Sequence, residues 1–138
     1  IYNAMTIAGV EALVDLMHTN EVELLSAPEL VAPFELFISV RDNRLTLRFT
    51  DVQAATHDIT LPLQPFRGVI KDYFLMCENY YEAIKHAPSD RLQTLDMARR
   101  AVHNEGSEML QAQLVDTLKM DFATARRLFT LICVLHIK

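Results

Sequence analysis

From Phe34 to Thr50 apolar and polar side chains alternate, interrupted once by Asp42-Asn43. Both residue types tolerate positive φ, so the pair fits the two-residue turn of a β-hairpin. With 42 and 43 as the loop, Leu36 faces Phe49, Ile38 faces Leu47 and Val40 faces Leu45, all on one face. Arg41 with Arg44, Ser39 with Thr46 and Phe37 with Arg48 fall on the other face. A slip of one residue would destroy this agreement, so the pattern predicts the register as well as the strands. Alternation resumes from Thr56 to Leu63, and Pro62, which cannot donate to a ladder, places this third strand at an edge. A three-stranded antiparallel meander with one apolar face needs a cover, and helices supply it.

The helical spacings lie on both sides of the meander. Ile7, Val10, Leu13, Val14 and Met17 predict an amphipathic helix over 6–19, after a start (1–5) read as a tag remnant or a disordered end. Residues 20–33 form a connector with Pro28 and Pro33 and one short helical turn near Val22 to Leu25. Pro65 suits a first helical turn, and the stripe Phe66, Val69, Ile70, Tyr73, Cys77, Tyr80 and Ile84 carries that helix to about 87. Pro88 stops it, and Ser89 is expected to cap a helix running to about Leu118. Gly106 either breaks that helix or lets a neighbouring backbone approach closely. Asp121 is expected to cap the last helix, Phe122 to His136, whose end Leu128–Ile137 holds only Thr130 and His136 as polar residues. Apolar on nearly every side yet too short for a membrane span, this helix is expected at the centre. The expected fold is α+β, one domain over 6–138, with the meander packed by one face on a helical layer around the C-terminal helix.

Composition narrows the classes of function. The 138 residues carry a net charge of −5, which argues against nucleic acid as partner. Cys77 and Cys133 lie inside apolar helical runs, so they are read as small core hydrophobes rather than nucleophiles. Two cysteines make no disulfide framework and no secretory leader is visible, which leads to a cytoplasmic location with no membrane partner. Glu78, Glu82 and His86 share a helical face but lack the Glu-x-x-His pattern of a di-metal bundle, so no metal and no cofactor is expected. Tyr73, Tyr80 and Tyr81 are read as core aromatics.

The densest polar cluster is Asp96, Arg99, Arg100, His103, Asn104 and Glu105. Residues three and four apart are neighbours on a helix, so Arg99, Arg100, His103 and Asn104 share one side. Arg126 and Arg127 stand near the start of the last helix, where the dipole disfavours cations, so they want an anion. With Glu78, Glu82, Asp96 and Glu105 as supporting carboxylates, the cluster reads first as an interhelical salt-bridge network. The sharper reading is a site at Arg99, Arg100, His103, Asn104 and Arg126 for phosphate, carboxylate or a protein partner. No residue is assigned as catalytic.

Three blocks, KDYFLMCENYYEAI (71–84), DMARRAVHNEGS (96–107) and DFATARRLFTLICVLH (121–136), resemble the signature blocks of a family of small alphaproteobacterial proteins. That family is catalogued only as uncharacterised, number two-six-two. The resemblance covers roughly 34–137, departs in the amino-terminal segment, and implies a bacterial cytoplasmic protein without an assigned activity. The expected function is a non-enzymatic interaction or regulatory module that forms a homo-oligomer, specifically a homodimer. The alternative is an enzyme or sensor for a small anion at the Arg/His cluster.

Overall fold

The structure is a computed structural model and describes residues 22–31 and 34–137. The expected helix over 6–19 and the start at 1–5 lie outside those residues. The meander forms from β2 (Glu35–Arg41), β3 (Arg44–Thr50) and β4 (Thr56–Pro62), in the order β2-β3-β4. Every hairpin pairing follows the pattern, from Leu36 opposite Phe49 to Arg41 opposite Arg44. Asp42 and Asn43 take φ of 53° and 61°, as a two-residue turn with the twist of its strands requires. Leu36, Leu45, Leu47, Phe49, Ile59 and Leu61 are buried on the inner face. On the outer face Arg48 clamps Asp58 of β4 through two bonds of 2.8 and 3.0 Å. The β3–β4 connection is tied by Asp51, whose carboxylate accepts from the backbone N–H groups of Val31, Gln53 and Ala55.

A second sheet escaped the pattern. Val22–Leu24 is a strand, β1, not a helical turn, and it pairs antiparallel with β5 (Leu118–Met120). The helix expected to reach Leu118 therefore ends at Gln113. Three-residue strands are too short to show a period, and their partner lies about a hundred positions away along the chain, where no local rule reaches.

Pro65 sits in a 3-10 turn, Gln64–Phe66, that leads into α1 (Arg67–Ile84). Helix α2 (Ser89–Gln113) follows, with Pro88 rather than Ser89 in the capping position and no side-chain cap. Helix α3 (Phe122–Ile137) starts after Asp121, whose carbonyl accepts from Ala125 N. The C-terminal helix packs on the sheet and on α2, which in turn packs on α1. Ala125, Leu128, Phe129, Ile132 and Cys133 of α3 are buried, while Leu131, Val134, Leu135 and His136 keep partial exposure. The helix is thus central along one side and reaches a surface along the other. Gly106 does not break α2. A methyl group there would overlap the far edge of the Phe129 ring, so the glycine exists to let that ring lie against the backbone.

Candidate functional site

The sequence cluster lies on α2, and its bonds run mainly within that helix. Asp96 accepts from Arg99, one turn on, and from Arg100 Nε at 3.0 Å. Arg99 lies 5.2 Å from the ring centre of Tyr80 and close to the Tyr73 hydroxyl, both on α1. An interhelical salt-bridge network is the expectation; among the described residues, the partners that α1 gives Arg99 are tyrosines. Tyr73, half-buried, has its pKa pushed up to about 12, first by burial and then by its contact with Cys77.

His103 is 6% exposed and sits edge-on between the rings of Tyr73 and Phe129, with centres 5.1 and 5.2 Å away. Thr130 of α3 donates its hydroxyl to Arg126 O at 3.0 Å, and the same oxygen lies 2.8 Å from His103 Nε2. With that hydroxyl hydrogen committed, Nε2 carries the imidazole proton and Nδ1 keeps its lone pair. Nδ1 is buried without a partner, as are Arg99 Nε and Asn104 Oδ1. Burial, with Arg126 and Arg99 nearby, lowers the His103 pKa from 6.5 to about 4, so the ring is neutral at physiological pH.

Of the other proposed members, Arg126 comes close to His103, while the glutamates are not drawn in. Arg126 is exposed, and among the described residues it has no carboxylate partner. Glu82 pairs instead with Lys85 at 3.4 Å, Glu105 faces solvent, and Glu78 stands elsewhere on α1. Tyr73 and Thr130, which complete the cluster, were read as core aromatic and helix interior. Thr130 had one signal, being a lone hydroxyl in an apolar run. Tyr81, read as core with them, is exposed.

The more open feature is a groove of about 690 Å³ between the first three turns of α1 and the end of α3. Ile70, Phe74 and Leu75 give it apolar walls, and Arg67, Lys71, Glu78 and His136 rim it. Leu75 is 49% exposed although it is large and apolar. The sequence does carry a signal for it: Arg67 and Lys71 are cations at the start of a helix, against its dipole. Among the described residues no group of His, Cys, Asp or Glu is placed to hold a metal ion, and no helix is long and apolar enough to cross a membrane.

The profile of the uncharacterised protein family UPF0262 matches residues 7–138. The chain belongs to that family. A UPF0262 protein of Maricaulis maris is 45% identical over 127 residues, covering 91% of this chain and 78% of its own. A UPF0262 protein of Rhizobium johnstonii is 44% identical over 128 residues, covering 91% and 79%. One from Ruegeria pomeroyi is 44% identical over 131 residues, covering 91% and 80%. These UPF0262 relatives are alphaproteobacterial, as the three sequence blocks implied. No solved structure matches the chain.

Proposed function

We propose that this UPF0262 chain is a non-enzymatic interaction module of the cytoplasm, which acts by docking a protein against α1. The observation that carries this reading is the groove, with its exposed Leu75 set among charges of both signs. Apolar contact area ringed by charge is what a specific, reversible interface needs. The buried histidine supports it from the other side: His103 is closed in by two rings and a hydroxyl, out of reach of a substrate. Two free cysteines are in keeping with a reducing compartment. Cross-linking of the tagged protein in alphaproteobacterial cells tests the reading. A cross-linked species is expected with the native chain and with Arg100→Ala, and lost with Leu75→Glu. Retention in the Leu75→Glu variant would overturn it.

A second reading, a small-anion site, is favoured by Arg126, a cation near a helix start with no carboxylate partner among the described residues. Titration with inorganic phosphate, followed by the NMR shifts of residues 99–104 and 126, supports this reading if saturation occurs and Arg126→Ala abolishes it.

A further inference from the structure

Helix α1 carries its charges in an order that penalises it when alone. Arg67 opens the helix and Lys71 follows one turn later. Glu78 and Glu82 occupy the last two turns. The first turn has no acidic residue and the last turn has no basic one, so both ends oppose the helix dipole. Each pair is also a like-charge pair four residues apart, which is repulsive on a helix surface. Glu82 is relieved by Lys85 at 3.4 Å. Arg67, Lys71 and Glu78 have no ion-pair partner among the described residues. All four are exposed, and at 100° per residue they lie on one stripe with Phe74 and Leu75.

The stripe is self-complementary. Its midpoint falls between Phe74 and Leu75. Lys71 and Glu78 stand at equal distances on either side, about 5 Å along the axis, and Arg67 and Glu82 at about 11 Å. A second α1 laid antiparallel about a two-fold axis through that midpoint puts Lys71 level with Glu78 of the other copy, and Arg67 level with Glu82. Leu75 then meets Leu75 across the axis. The same operation cancels the misplaced charges against the opposite helix ends. An isologous interface must present one patch that complements itself, and this stripe does.

We propose that the occupant of the α1 face is a second copy of this chain, in an antiparallel α1–α1 dimer keyed by Lys71–Glu78 and Arg67–Glu82 pairs. The inference rests on the interaction-module reading and adds the partner. It places self-association on α1 rather than on a sheet edge.

Charge reversal tests it, read by light scattering and sedimentation at moderate salt. The native chain should have a dimer mass at high micromolar concentration. Lys71→Glu and Glu78→Lys should each weaken the dimer at least about tenfold, since each reverses two symmetry-related pairs. Mixing the two single variants should restore a dimer, because one chain then offers acids at both positions and the other bases. The double variant K71E/E78K should dimerise by itself. Both sites are exposed, so circular dichroism should show an unchanged fold. A monomeric native chain at that concentration, or a dimer indifferent to both reversals, overturns the proposal. Neither result touches the broader reading, which a foreign protein cross-linked through Leu75 would still support.

Discussion

Two positions show how much of this molecule depends on single close fits. Gly106 faces Phe129, which is fully buried against the rings of His103 and Tyr73 and has no room to retreat. Alanine would add roughly 1 kcal/mol of helix propensity. The methyl group would cost about 1–3 kcal/mol of overpacking. Gly106→Ala is therefore expected to lower the urea midpoint, and Gly106→Ala with Phe129→Leu should lose less than the sum of the two changes. Full additivity would show that the two sites do not touch. His103 supplies the second case. Its folded pKa, about 4, lies below the ordinary 6.5, so the unfolded chain binds more protons between those values. Stability from this group is complete above pH 6.5 and falls as pH drops through the window towards 4. The loss between pH 7 and pH 5 is at most about 2 kcal/mol, from 1.36 kcal/mol for each pKa step. Around the ring stand Tyr73 on α1, Arg99 on α2 and Arg126 on α3. Urea titrations at both pH values, on the native chain and His103→Gln, isolate the effect. A native chain no more sensitive to pH than the variant would contradict the assignment.

At the scale of elements, legibility followed sequence separation. The hairpin was readable residue by residue because its turn, its alternation and its partner all lie within seventeen positions of chain. β4 and the three described helices were readable for the same reason, within a residue or a few at most ends. The α2 boundary failed because Leu118-Lys119-Met120 continues a helical pattern, and only Val22–Leu24, far off in the chain, recruits it into a strand. The candidate site divided along the same line. Asp96, Arg99 and Arg100 are three and four apart and do pair, as helix geometry requires. Among the described residues no carboxylate of α1 pairs with Arg99 or Arg100, because which residues of α1 face α2 is set by packing. That packing delivers Tyr73 and Tyr80 to Arg99, with Glu78 and Glu82 on the outer stripe. The burial of His103 could not be read from a helix whose overall character is polar. It depends on Phe129 and Thr130 coming from a different element.

The whole molecule sets how its two thiols react. Cys133 lies on the side of α3 turned into the core and is 2% exposed, and burial pushes its pKa up to about 12. Cys77 lies on α1, half-buried beside the Tyr73 hydroxyl. The thiolate is the reactive form, so a buried thiol with a raised pKa is protected twice, by access and by ionisation. Exposure of Cys133 requires α3 to leave both α2 and the sheet, which share one buried cluster with it. Such an opening should cost nearly the full unfolding free energy, in contrast to the fraying of a peripheral helix. In native buffer a thiol reagent should therefore modify one cysteine per chain, Cys77, and peptide mapping should identify it. Cys133 should react only through global opening, with a dependence on urea equal to that of equilibrium unfolding. Modification of both thiols at similar rates would mean that α3 detaches alone. The layers would then be separable, and the central place of the C-terminal helix would be lost.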